Sequence, residues 1–411
     1  MKIWLINHYA VPPQYYPLAR PSLFAKNLIK MGHDVTIIAA STVHNSDKNL
    51  IDGKEKIKRE TVDGIPYVYI KCSDYAGNGL KRVINILEYA FKLPGVCKTL
   101  EKPDAIVATS FDPISCYQGI KIANKYGVTG VAEIADLWPE TLVEYGGLSR
   151  KNPIVVILKS IEKKIYMKAD SIVFTVGGGY DSIIEQGWQR IIPKEKAAYI
   201  NNGIDLELFD YNKENFKISD IDLENENIFK VIYTGSIRKV NNLGEILDVA
   251  KITTDPRVRF LIWGDGDELL MLKQRLKNEK ITNVVFKGRV EKKYIPYITS
   301  KADLNYAHNT ASSLFRFGLS FNKIFDYLAA GKPILCDFPS NYNPVIERKA
   351  GVAVESAVPK DIASQIDRFA SMNKEDYDQY CEAARATTKE YDFSVLTEKL
   401  ISIINRCQED F

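Results

Sequence analysis

The chain has 411 residues, 45% hydrophobic and 26% charged, with a net charge of +3. That length is too great for one ordinary core and predicts two domains of roughly 200 residues each. The charge balance argues against a nucleic-acid partner, and no apolar run reaches membrane-spanning length.

In chain order, MKIWLINHYAVPP carries one Lys and a short apolar run without a signal-peptide cleavage pattern, so it reads as a first strand. PSLFAKNLIKMG (21–32) is an amphipathic helix ended by Gly32, and DVTIIAAS (34–41) is the next strand. IPYVYIK, DAIVATS, VTGVAEIAD and DSIVFTV continue the series. Strands alternating with helical patterns predict parallel α/β sheets. This gives a doubly wound first domain over 1–205. FDYNKENFKISDIDLENENIFK (209–230) is polar and strand-poor, and reads as an interdomain linker.

A second series follows: FKVIYTGS (229–236), VRFLIWGDG (258–266), VVFKGRV (284–290), ADLNYAH (302–308) and PILCDF (333–338). The second domain is expected over 206–389, with a final helix, about 390–411, packing back on the first. Two such domains facing each other leave a cleft at the carboxyl ends of their strands, where α/β sheets bind ligands. The six cysteines are scattered with no CxxC, which predicts neither a disulfide framework nor a zinc site and points to a reducing compartment.

SFNKIFDYLAAGKPIL (320–335) places Asn322, Lys323 and Asp326 on one face of a helix that is otherwise apolar. Ser320 suits the N-cap, and Gly331 with Pro333 suits the end. Two readings stand: a solvated face with a Lys323–Asp326 pair, or the polar floor of a binding site.

YINNGIDLELF (199–209), YTGS (233–236), IWGDGDE (262–268), FKGRV (286–290) and FNKIFDYLAAGKPIL (321–335) occur in this order. With NHYAVPP, GHDVTII and DLWPET (136–141), they resemble the GT-B glycosyltransferases, specifically the retaining family 4. The variant forms are similar to those of bacterial O-antigen and capsule transferases. The resemblance covers nearly the whole chain and implies a GT-B fold, two facing Rossmann-like domains with a cleft between them.

It also implies a nucleotide-sugar donor bound by the second domain without a metal or other cofactor. On that reading Lys323 and Arg238 neutralise the diphosphate, and Asp326 takes the ribose in place of a usual Glu. Gly235, Ser236, Gly264, Arg289, Val290, Ser320 and Asn322 would line the nucleotide. His308 and Asn309 would approach the diphosphate. Gly318 stands where relatives carry a second Glu. Either its backbone and that of Leu319 approach the sugar closely, or it makes a tight turn before the helix. Arg238 and Lys239 are adjacent where relatives space their basic pair, so a solvated loop charge is the other reading of Arg238. GDGDE (264–268) contains a DxD triplet, but its strand-to-helix context favours a turn with an acidic first turn over a metal site.

The first domain is expected to hold the acceptor. His8 and Tyr9 follow the first strand, and Arg20 closes a Pro-rich loop from Tyr9 and is a candidate for a phosphate. Asp136 ends a strand. It orients the sugar or takes the acceptor proton, or else caps the Trp138–Pro139 turn. His33 reads as bracing a turn.

GLKRVINILEYAFKLPGVCKTLEK (79–102) and KNPIVVILKSIEKKIYMK (151–168) alternate basic and large apolar residues. They suit either a membrane interface on anionic lipid or core helices with solvated lysines. The resemblance therefore implies a retaining transferase at the cytoplasmic face of the inner membrane. It would move a sugar, UDP-linked and of hexosyl or N-acetylhexosaminyl type, onto a polyprenyl-diphosphate-linked saccharide. The alternatives are a soluble acceptor, a sugar-nucleotide epimerase, or an inactive GT-B partner subunit.

Overall fold

The computed structural model describes residues 1–15, 20–44, 46–77, 79–356 and 358–409. Residues 16–19 of the Pro-rich loop, and the last two residues of the expected C-terminal helix, lie outside the described residues. The chain divides into two compact units, Met1–Asn201 with Phe393–Phe411, and Asn202–Asp392. The expected boundaries were 205/206 and 389/390; the chain passes between units at 201/202 and 392/393.

The first unit begins with β1 (Lys2–Ile6), α1 (Arg20–Lys30), β2 (Asp34–Ala40), β3 (Ile57–Val62) and β4 (Ile65–Ile70). It continues with α2 (Leu80–Cys97), β5 (Ala105–Thr109), α3 (Pro113–Tyr126), β6 (Thr129–Ile134), α4 (Glu140–Glu144) and α5 (Pro153–Lys168). β7 (Ser171–Phe174), α6 (Gly179–Glu185) and β8 (Ala197–Tyr199) complete the run. The sheet order is β3-β4-β2-β1-β5-β6-β7-β8, and only the β3–β4 pair is antiparallel. Every residue of β5, β6 and β7 is buried, which is why those strands read as unbroken apolar runs rather than alternations. β3 sits at the edge, has no buried residue and carries Lys58, Arg59 and Glu60, so its pattern gave no strand signal.

The second unit contains α7 (Leu206–Asn215), β9 (Phe229–Thr234), α8 (Gly244–Ile252), β10 (Val258–Trp263), α9 (Leu269–Asn278) and β11 (Val284–Gly288). Then come α10 (Ile295–Ser300), β12 (Leu304–Ala307), α11 (Asn322–Ala329), β13 (Ile334–Cys336), α12 (Pro344–Glu347) and β14 (Gly351–Ala353). α13 (Pro359–Ala370) and α14 (Lys374–Glu390) close it. Its sheet is parallel throughout, in the order β11-β10-β9-β12-β13-β14. α15 (Phe393–Glu409) returns to the first unit, where Phe393, Leu396, Leu400 and Ile404 share a core with Phe24, Leu28 and Val35.

The segment 209–230 is not a linker. Asp205 caps α7 by accepting from the Leu208 amide at 3.1 Å, and Phe209 is buried. Further on, Lys287 of β11 binds Asp220 at 2.7 Å and Asp222 at 2.5 Å. Polar composition disguised a segment fastened to its own unit by ion pairs.

In each sheet the strand order reverses once at the centre, between β1 and β5 and between β9 and β12. Ligands of doubly wound sheets bind outside the carboxyl ends of the strands at that reversal.

Candidate functional site

At the reversal of the second sheet, two loops meet backbone to backbone. Gly235 after β9 donates to Trp263 O at 3.0 Å, and Ile237 donates to Asp265 O at 2.9 Å. A Cβ on Gly264 would lie 1.8 Å from the carbonyl oxygen of Gly235, so only glycine lets the loops close. The Asp265 carboxylate accepts from the Gly266 amide at 2.8 Å in a strand-to-helix turn, but α9 starts at Leu269 without the acidic first turn expected of GDGDE. Among the described residues no group of three His, Cys, Asp or Glu is arranged to hold a metal.

Ser236 bonds Asn241 at 2.8 Å, and Arg238 is exposed, with no side-chain partner among the described residues. Arg289 is exposed just past β11, while Val290 packs against the core patch of Leu223, Trp263 and Ile298.

α11 begins at Asn322, one residue later than a Ser320 cap requires. Phe321 takes the cap position without a side-chain bond, because its ring packs on Phe315 at 5.5 Å and on Phe338 at 6.0 Å. Ser320 keeps its carbonyl on Asn202 Nδ2 at 2.7 Å, and its Oγ is buried without a partner. The pairing of Lys323 with Asp326 is also overturned. Lys323 donates instead to the carbonyl of His308 at 3.2 Å and lies 4.6 Å from the Tyr233 ring centroid. Burial pushes its pKa down to about 8, against the opposing charge of Asp337. Asp326 has no hydrogen-bond partner for its carboxylate among the described residues, and burial raises its pKa. α11 has no acidic residue in its first turn and a lysine there instead. That is the reverse of what the helix dipole favours, and it leaves the helix start suited to an anion.

Two expectations are corrected here. His308 does not offer a ring nitrogen to a ligand: it is 0% exposed, with Nδ1 on Asp337 and Nε2 3.2 Å from Asn242 O. Gly318 does not offer its amide, which donates to Phe315 O at 3.0 Å. Its φ of 113° closes a short helical turn, Ser313–Phe317, in a conformation that excludes Glu at this place. Leu319 is buried beside it in the core of α11, and the amide of Asn309 donates to Asp337 Oδ1 at 3.3 Å.

At the reversal of the first sheet, His8 is buried behind β1 and bonded through Nε2 to Asn85 Oδ1 at 2.7 Å. Asn85 spends its amide hydrogens on Thr42 at 3.1 Å and Ser73 O at 2.6 Å. Its oxygen therefore accepts, and His8 carries its proton on Nε2. Burial pushes the His8 pKa down to about 3, so the ring is neutral. Tyr9 accepts from Arg82 Nε at 2.9 Å.

Arg20 is no phosphate ligand. It is 5% exposed and donates to Glu133 at 2.9 Å, Asn201 O at 2.6 Å and Ile200 O at 2.9 Å. Asp136 stands two residues past β6, exposed, with no side-chain partner among the described residues. It does not cap the following turn, since α4 starts from Pro139 without a side-chain bond.

The structure thus gathers Ser236, Tyr233, Lys323, His308 and Asn309 into one connected group. Among the described residues the side chains of Arg238, Arg289, Asn322 and Asp326 make no hydrogen bond to that group, and Arg20 belongs to the core. Sequence reasoning missed Asp337, Tyr233, Asn242, Arg82 and Asn85. Only Asp337, a lone carboxylate at the end of a buried strand, left a visible signal.

Residues 214–387, which hold most of these donor-side groups, match the family model described as glycosyl transferases group 1. No curated protein matches the chain. Among solved structures, the HepE protein of Anabaena in complex with UDP is 14% identical at a TM-score of 0.69, covering 99% of this chain and 100% of that one. The trehalose-6-phosphate protein of E. coli bound with UDP-2-fluoro glucose is 11% identical at a TM-score of 0.73, covering 98% and 99%. A glycosyltransferase of Rickettsia africae is 15% identical at a TM-score of 0.66, covering 100% and 99%. These likenesses show the fold, two Rossmann-like α/β units of the GT-B type.

Proposed function

We propose that the protein is a retaining glycosyltransferase that takes a UDP-linked sugar and passes it to a polyprenyl-diphosphate-linked saccharide in bacterial surface-polysaccharide assembly. The observation that carries the donor half is the start of α11. Among the described residues, an ammonium without a carboxylate partner, an unpartnered carboxylate one turn on and an orphaned buried hydroxyl lie in one eight-residue helix and its lead-in. The match of 214–387 to a glycosyltransferase model, and the UDP in the structures of similar fold, support the same reading.

In this reading Lys323 and Arg238 carry the diphosphate, Asp326 accepts from the ribose, and charge-assisted contacts of this kind are worth about 1.5–3 kcal/mol each. The leaving diphosphate takes the acceptor proton as the sugar becomes oxocarbenium-like, and the protein stabilises the leaving charge. Asp136 orients the acceptor. No metal is required, so a chelator leaves UDP affinity unchanged.

The lipid-linked acceptor is supported by α2. Leu80, Val83, Ile84, Leu87 and Phe91 fall on one helical face and are 44–88% exposed. Lys81, Lys92 and Lys98 lie exposed on the same helix and its cap, which suits an anionic lipid surface. α5 exposes Ile154, Val156 and Ile157 at its start and Lys164 and Lys168 towards its end. Among the described residues no helix is long and apolar enough to cross a membrane, so association would be peripheral.

The test is calorimetric titration of UDP, GDP and dTDP into the protein and into Asp326→Ala. The reading expects one nucleotide, UDP, to bind at micromolar level and the variant to lose it. Absence of binding, or equal binding by the variant, removes the donor site.

A further inference from the structure

His308 and Asp337 form a buried pair that none of the roles above employs. Asp337 is 2% exposed at the end of β13. Its Oδ2 takes the Tyr306 hydroxyl at 2.8 Å and the His308 Nδ1, and its Oδ1 takes the Asn309 amide at 3.3 Å. On the other side of the ring, Nε2 meets the carbonyl oxygen of Asn242 at 3.2 Å. A carboxylate and a main-chain carbonyl are both acceptors, so both ring nitrogens must donate and the ring is an imidazolium.

The consequence is geometric. Asn242 ends the loop that begins at Gly235 and carries Ser236 and Arg238. His308 directly follows β12, and its own carbonyl holds the Lys323 ammonium. One protonated ring therefore ties the loop after β9 to the strand end that seats Lys323. We propose that His308 and Asp337 are positioning residues for the nucleotide diphosphate: Asp337 holds His308 as an imidazolium, and the imidazolium fixes the phosphate-side loop and Lys323 in one arrangement. This rests on reading the second unit as a nucleotide-sugar site.

The groups that face the ring are Asp337 at the end of β13, Lys323 of α11, Glu245 of α8, Tyr306 of β12 and Tyr233 of β9. Burial and Lys323 act to lower the pKa of His308, and Asp337 and Glu245 act to raise it; the net direction is upward. With the folded pKa above the ordinary histidine value, the clamp is complete below that ordinary value and opens as pH rises through the folded one.

The first experiment is nitrogen NMR of the four histidines in the whole protein at about pH 6.5, the ordinary histidine value, with the His308 ring assigned through its own backbone amide. Protons on both His308 nitrogens are expected, and a bare nitrogen at that pH overturns the proposal without needing any variant to fold. The second is calorimetry of UDP and of uridine on wild type, His308→Gln and the near-isosteric Asp337→Asn. The expected result is about tenfold weaker UDP binding in both variants with uridine affinity kept, since only the diphosphate needs the clamp. Equal losses for UDP and uridine mean a merely structural pair and overturn the proposal, as does unchanged UDP affinity. If wild type binds no nucleoside diphosphate, the donor-site reading itself fails and takes the positioning role with it. The ring protonation is then still decided by NMR.

Discussion

The Lys323 ammonium donates to the main-chain carbonyl of His308 at 3.2 Å, and among the described residues no carboxylate pairs with it. A lysine held this way is charged at the cost of burial, which pushes its pKa down to about 8. Two opposite pH effects follow. Without ligand, the folded pKa lies below the unfolded one, so the unfolded chain binds more protons above about pH 8. Stability then rises with pH from about 8 towards 10.5 relative to Lys323→Met. With a diphosphate bound, the ammonium is the useful form, so affinity is full below about pH 8 and falls above it. UDP titrations at several pH values are expected to show roughly a tenfold loss between pH 7 and 9.5. Lys323→Arg, which stays charged, should give a shallower profile. Parallel profiles would remove Lys323 from the site.

Strands and helices were legible where burial is one-sided or complete. β5, β6, β9 and β10 are short apolar runs bounded by turn residues, and α11 shows its apolar face in IFDYLA. The glycines of the two central loops and the polar start of α11 were visible too. The use of each charged side chain was not, because an arginine at a loop end reads the same whether it meets a ligand or a buried glutamate. Arg20 and Glu133 are separated by 113 positions, and no local pattern pairs them. The same holds for His308 with Asp337, and for Asn85 with His8.

Arg20 supplies a direct check on that correction. Its guanidinium and the Glu133 carboxylate are each 5% exposed, and Thr109 bonds the other Glu133 oxygen at 2.8 Å. Removing one partner of such a pair strands the other charge, so Arg20→Met is expected to cost about 3–5 kcal/mol. Urea unfolding followed by tryptophan fluorescence measures it. A double change with Glu133→Gln should recover part of the loss. A phosphate ligand at a solvated loop would show neither the loss nor the coupling.

Gly264→Ala probes the loop contact at the centre of the second sheet. The new Cβ would fall 1.8 Å from Gly235 O, and neither neighbour is a flexible side-chain end. The backbone must move, which for overpacked sites costs about 1–3 kcal/mol. UDP affinity should fall with the melting temperature, because Ser236 and Arg238 ride on the displaced loop. A variant with unchanged thermal stability would contradict the close approach.

The outward stripe of α2 makes the membrane reading testable apart from the fold. Phe91 is 88% exposed and Leu87 49% exposed, so replacing both by Ser leaves the buried residues of α2, Asn85, Tyr89 and Leu93, in place. The opposite face of the same helix holds Asn85 on His8 at 2.7 Å and Arg82 on Tyr9 at 2.9 Å, and these stay in place. Burying a side chain of this size in an apolar phase is worth about 1.5–3 kcal/mol. The double variant should therefore bind vesicles of anionic phospholipid at least about tenfold more weakly at unchanged melting temperature. Binding by wild type should also weaken as salt screens Lys81, Lys92 and Lys98 from the surface. Co-sedimentation with vesicles of rising anionic content measures both effects. If wild type fails to sediment with anionic vesicles, α2 has no lipid partner. The case for a lipid-linked acceptor then loses its structural support, while the proposed nucleotide site of the second unit is untouched.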